Sequence, residues 1–150
     1  MRTALRLLTR VLSAILLLTL VGISWLWWAN RDIPVETLEL RYGGDNLQQL
    51  NIDGVQLRYK VEGTGPPLVL IHSHFYNMRQ WQPWVDKLSE KFTLIRYDLT
   101  SHGLTGPDPS EDYSRQRGTD LLDALLQHLE VDRAAIVGSS TGGALAWYYA

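Results

Sequence analysis

Residues 136–143 read Ile136-Val137-Gly138-Ser139-Ser140-Thr141-Gly142-Gly143, and Ala144-Leu145-Ala146-Trp147-Tyr148-Tyr149-Ala150 comes directly after. A β-branched, apolar run thus ends in Gly-x-Ser-x-Gly and passes at once into a helix-forming segment. This is the strand–turn–helix setting in which the motif makes a nucleophile elbow. A hydroxyl projecting from the tip of a strand requires a bend so sharp that neighbouring Cβ atoms collide. Glycine at both flanks, Gly138 and Gly142, removes those atoms. The helix beyond supplies unpaired backbone N–H groups and a positive dipole end, both suited to an oxyanion beside Ser140. Ser140 is the candidate nucleophile. Ser139 reads as a bystander, because Val137 stands two positions before it, where the turn wants a small residue. The pentapeptide alone fits a plain tight turn equally well; the strand before it and the helix after it favour the elbow.

A chain of 150 residues holds at most one domain. It has no cysteine, which excludes disulfides, thiolate catalysis and Cys-based metal sites. No metal-ligand constellation stands out, and no cofactor is expected. Gly63-Thr64-Gly65 and Gly142-Gly143 lack the spacing and the lysine of a nucleotide loop. The formal net charge of −2 is unevenly distributed. Arg2, Arg6, Arg10 and Arg31 face no acid within the first 31 residues, leaving 10 basic and 16 acidic residues in the remainder. An acidic globular part argues against a nucleic-acid partner.

Val11 to Ala29 is a run of 19 uncharged residues rich in Leu, Ile, Val and Trp. As a helix it spans roughly 28 Å, close to the ~30 Å thickness of a bilayer core. Three arginines precede it, and Trp25, Trp27 and Trp28 crowd its far end. Basic residues on one flank and tryptophans at the other orient a transmembrane anchor with its N-terminus cytoplasmic and the remainder on the outer, periplasmic or extracellular, side. A cleaved signal peptide is the alternative, but the one candidate site, Trp27-Trp28-Ala29, places a bulky residue where a small one belongs. A core helix would not be apolar all round. The expected organisation is a cytoplasmic basic segment over 1–10, an anchor over 11–29, a tether over 30–46 and a globular part over 47–150.

Within 47–150, Leu50 and Ile52 alternate with polar residues, Asp53-Gly54 signals a two-residue hairpin, and Val55, Leu57, Tyr59 and Val61 resume period two. Gly63 to Pro66 closes that unit. Leu68-Val69-Leu70-Ile71 is continuously apolar, as in a strand buried on both faces. Trp81, Trp84, Val85 and Leu88 come next at helical spacing, with core packing expected for both tryptophans. Phe92 to Tyr97 is a second buried strand, and a Gly/Pro-rich loop runs from Leu99 to Asp112. Ser114 reads as an N-cap. Leu121, Leu122, Leu125, Leu126 and Leu129 stripe a helix from about Arg115 to Glu130. Ala134 to Gly138 is the third buried strand. A hairpin followed by alternating buried strands and helices implies an α/β fold with a largely parallel sheet.

Three ordered motifs carry a family resemblance: Leu68 to His74, Ile95 to Gly106, and Gly138 to Gly142. Together, over about residues 46–150, they resemble the N-terminal part of the α/β-hydrolase superfamily, most closely its membrane-anchored, esterase-like serine hydrolases. The resemblance implies eight strands, a Ser-His-Asp/Glu triad and an oxyanion hole of two backbone amides, here those of Thr141 and His74. Serine at the elbow argues against the dehalogenase and epoxide-hydrolase branches, which use Asp there.

The family's glycine after the first His is Ser73 here, and Pro-Gly in the fourth-strand loop is Thr100-Ser101. Ser73 either distorts one oxyanion donor or adds a hydrogen bond. The order Ser, Asp/Glu, His along the chain puts acid and base beyond residue 150, so the expectation is the N-terminal portion of an enzyme. His72, His74, His102 and His128 are expected in structural roles, since none has an evident group to orient it as a base. The strand at 134–138 should then present an open edge. The favoured function is hydrolysis of a small-molecule ester or related acyl substrate through Ser140. The alternatives are a membrane-tethered, non-catalytic binding module and an inactive fragment.

Overall fold

The structure is a computed structural model and describes residues 2–150. The chain divides at Pro34 into two units. The first is one long helix, α1 (Arg2–Ala29), with a 24-residue apolar stretch over Arg6–Ala29 that buries nothing within the protein. Asn30 ends it by donating its backbone and side-chain N–H groups to the Leu26 carbonyl.

The second unit, Val35–Ala150, is organised on a five-stranded mixed sheet: β1 (Gln48–Ile52), β2 (Val55–Glu62), β3 (Pro67–Ile71), β4 (Thr93–Tyr97) and β5 (Ala135–Gly138). Their spatial order is β1-β2-β4-β3-β5. The hairpin forms where Asp53-Gly54 places it, with both residues at positive φ and Ile52 paired to Val55. β2 runs antiparallel to β4, not to its sequence neighbour β3, so Gly63 to Pro66 leads away from the hairpin rather than closing it. β3, β4 and β5 are parallel.

The continuous apolar runs reflect burial on both faces. Val69, Ile71, Ile95 and Tyr97 join Leu122, Leu125 and Leu126 of α4 (Arg115–His128) and Leu145 of α5 (Thr141–Tyr149) in one cluster. Leu68, Leu70 and Leu94 pack on the other side against Trp81 and Val85, where a helical turn (Met78–Trp81) leads into α3 (Gln82–Leu88). Ser114 caps α4 as expected, its Oγ accepting from Arg117 N–H.

Several expectations need correction. Trp84 is not a core residue: it is 43% exposed and meets buried Trp81 edge-on. β5 is only half-buried, because it pairs with β3 alone and its other edge is open. The stretch read as a tether is helical from Val35 to Gly43. It is pinned to the sheet by an ion pair from Glu39 to Arg58 at 2.5 Å. Arg96 sits fully buried inside β4, which is tolerable because Glu62 takes its Nε at 2.7 Å and one terminal nitrogen at 3.0 Å.

Candidate active site

Parallel sheets bind ligands in the crevice beyond the strand C-termini where successive connections diverge to opposite sides. β3 is that position here: β4 lies on one side of it and β5 on the other. Three loops therefore meet at this edge: 72–77 after β3, 98–106 after β4, and the bend after β5.

The bend is a type II′ turn. Gly142 N–H donates to the Ser139 carbonyl at 2.9 Å, and Ser140 occupies the second position with φ 51° and ψ −115°. That conformation belongs to glycine, yet a serine holds it, and its side chain is exposed. The flanking glycines make the turn sterically possible. A Cβ on Gly138 would overlap the Gly142 carbonyl, and one on Gly142 would overlap the carbonyls of Ile71 and His72. Ser139 N–H donates to the Ile71 carbonyl at 3.1 Å, extending the β3–β5 ladder to the brink of the bend. This close approach brings the start of α5 against the 72–74 loop. Among the described residues, neither the Thr141 N–H nor the His74 N–H finds an acceptor. Thr141 and His74 line one cleft of about 480 Å³ with Thr100, His102, Tyr113 and Leu145.

Asp98 ties the neighbouring loops together from just behind strand β4. Its carboxylate accepts from Met78 N–H at 2.6 Å and from Leu104 N–H at 2.8 Å, after β3 and β4 respectively. A Cβ on Gly103 would run into that carboxylate. Burial pushes the Asp98 carboxyl up, and the two backbone donors oppose the shift. Ser73 adds hydrogen bonds and does not take a positive φ: its N–H and Oγ both reach Gln80 Oε1, at 3.1 and 3.2 Å. Ser101, in the position of the family's glycine, does take one, with φ 60°.

The histidines separate into roles. His72 is fully buried; its Nδ1–H donates to the Ser73 carbonyl and its Nε2 accepts from Leu99 N–H at 2.9 Å. Burial pulls its pKa down to about 4, so the ring is a neutral strut between two loops. His102 donates Nδ1–H to the Thr100 carbonyl, which leaves its Nε2 to accept from His74 Nδ1–H at 3.3 Å. Among the described residues no carboxylate bonds to either ring. His128 packs edge-on against Tyr59 near the end of α4, away from the cleft lining. The histidine readings agree with these placements. The role of Asp98 was missed, although its position at the end of a buried strand was a signal.

The alpha/beta hydrolase family model matches residues 68–150. The chain is 32% identical over 102 residues to the soluble epoxide hydrolase of a Corynebacterium species, covering 68% of this chain and 35% of that protein. It is 33% identical over 90 residues to the pimeloyl-[acyl-carrier protein] methyl ester esterase of Aliivibrio salmonicida, covering 60% and 32% respectively. A hydrolase from Pseudomonas aeruginosa superimposes with a TM-score of 0.66 at 31% identity, over 70% of this chain and 40% of that one. The chain belongs to the alpha/beta hydrolase family. It corresponds to the N-terminal portion of that fold and spans about a third of the length of these curated relatives.

Proposed function

We propose that the protein is a serine hydrolase acting on small-molecule esters or related acyl compounds, with Ser140 as nucleophile. One observation carries the reading: an exposed serine in a glycine's conformation, between two obligatory glycines. Ser140 Oγ attacks the substrate carbonyl, and the amides of Thr141 and His74 receive the developing oxyanion. Each such donor is worth about 10²–10³ in turnover. The family order assigns the proton-accepting histidine and its acid to positions after the elbow, consistent with the structural duties of His72 and His102. Serine rather than aspartate favours acyl chemistry over epoxide opening, in line with the esterase relative. A fluorophosphonate probe applied to the whole protein tests this. It should label Ser140, and Ser140→Ala should abolish both label and turnover; hydrolysis that survives the substitution overturns the assignment.

We infer further that residues 11–29 anchor the protein in a membrane, with 1–10 cytoplasmic and 47–150 on the outer side. Support comes from the length and apolarity of α1, from the arginines before it and from the tryptophans at its end. Resistance to carbonate extraction, with protease access to the hydrolase unit from outside only, is the expected result.

A further inference from the structure

We propose that the face of the hydrolase unit formed by Val35–Gly43 and Arg79 seats on a bilayer surface bearing anionic headgroups; this rests on the anchor reading of residues 11–29. The link between the two units is short. Only Asn30–Pro34 join α1 to the second unit, and five residues reach at most about 18 Å when extended. An anchored chain therefore cannot carry Val35 far from the headgroups, and the segment beginning there has to suit that environment.

Its surface has the composition such a place demands. Large apolar groups stand in solvent: Leu40 is 91% exposed, and Val35 and Tyr42 are also exposed. The guanidinium groups of Arg41 and Arg79 both stack on the Tyr42 ring, 5.3 and 5.5 Å from its centroid. Neither arginine forms an ion pair among the described residues. Nearby acids are partly engaged elsewhere: Glu39 holds Arg58 and Glu62 holds Arg96, leaving Glu36, Asp45 and, in the joining segment, Asp32 as the opposing charges. Lys60 adds a third cation. Its Nζ donates to the Asp45 carbonyl, and burial together with Arg96 lowers its pKa. Beneath Tyr42 lies a mainly apolar cavity of about 240 Å³, walled by Leu38, Leu47, Met78 and Leu104. Aromatic and apolar groups interleaved with arginines match the headgroup boundary, where each cation near an anionic surface contributes about fivefold, or about 1 kcal/mol. A soluble phosphate ester would use the arginines but give Leu40 no burial.

The chain has no cysteine, so single-cysteine labelling is direct. Leu40→Cys and, as a control on α4, Gln127→Cys are labelled with an environment-sensitive dye in the full chain. Each is reconstituted into phosphatidylcholine vesicles with or without phosphatidylglycerol. With the anionic lipid the dye at 40 should shift to the blue and resist aqueous iodide, while the dye at 127 stays fully quenched. Arg41→Gln with Arg79→Gln should cut the ratio of seated to unseated protein at least tenfold. Protein that floats with the vesicles while both dyes are quenched alike overturns the docking face and leaves the anchor standing. Protein that fails to float overturns both. Equal protection without the anionic lipid overturns the role given to the arginines.

Discussion

Ser140 gives the most direct test of the elbow, because its backbone and its side chain make opposite demands. At φ 51° and ψ −115° an L-residue is strained, while its hydroxyl caps nothing in the helix that begins beside it. A Cβ held in so sparsely populated a backbone region costs roughly 1–3 kcal/mol. Glycine relieves that strain but adds about 0.4–1 kcal/mol of unfolded-state entropy. Ser140→Gly should therefore stabilise the fold by about 1 kcal/mol, whereas Ser140→Ala should leave stability within about 0.5 kcal/mol. The comparison between the two variants isolates the Cβ, and its sign is the reverse of the usual Ala-over-Gly order. Urea unfolding in mild detergent, monitored by near-UV circular dichroism, reads the difference. At an m-value of about 2 kcal/mol/M the Gly variant's midpoint lies about 0.5 M above the Ala variant's. Both variants should lose fluorophosphonate labelling. An alanine variant as stable as the glycine one, or more so, would falsify the strained turn and with it the pre-positioned nucleophile.

Gly142→Ala places a Cβ against the Ile71 and His72 carbonyls, backbone that cannot yield as a side chain does; a loss of about 3 kcal/mol in urea unfolding is expected. His72 makes stability depend on mildly acidic pH. Its folded pKa of about 4 lies below the unfolded value near 6.5, so the unfolded chain binds the extra proton between them. The contribution is complete above pH 6.5 and lost as pH falls toward 4, by up to about 3 kcal/mol. His72→Gln should flatten that window, and an unchanged slope refutes the assignment. Residues 35–150 prepared alone leave the second edge of β5 unpaired and should self-associate. Ala135→Lys, at an exposed position on that strand, should lower light scattering at fixed concentration.

Elements whose cause is local could be read directly. Asp53-Gly54 dictates its hairpin, Ser114 and the leucine stripe dictate α4, and two glycines around a serine dictate the bend. Elements whose cause lies far along the chain could not. Arg96 within a buried strand makes sense only beside Glu62, 34 residues away. The helical turn at Val35–Gly43 owes its place to the Glu39 contact with Arg58, and no periodicity announces it. The insertion of β4 between β2 and β3 is likewise a matter of pairing partners, since both neighbours offer the same apolar pattern. At the candidate site, the bend carrying Ser140 and Thr141 was readable because the motif is contiguous. The duties of His72 and Asp98 were not, because each bridges two loops.

The pedestal under Ser140 is made by its neighbours and its own backbone: clearance at 138 and 142 sets the bend, the Ser140 carbonyl accepts from Ala144 N–H at 3.0 Å, and its hydroxyl caps nothing. One side chain can therefore be exchanged for another on an unaltered mount, and with Ser140 in the proposed nucleophile role that exchange would change the reaction class. A carboxylate or a thiol at position 140 would stand on the same bend. Sequence kinship with a protein named as an epoxide hydrolase is then unsurprising, since divergence of chemistry in such a lineage requires no remodelling of the ground it stands on.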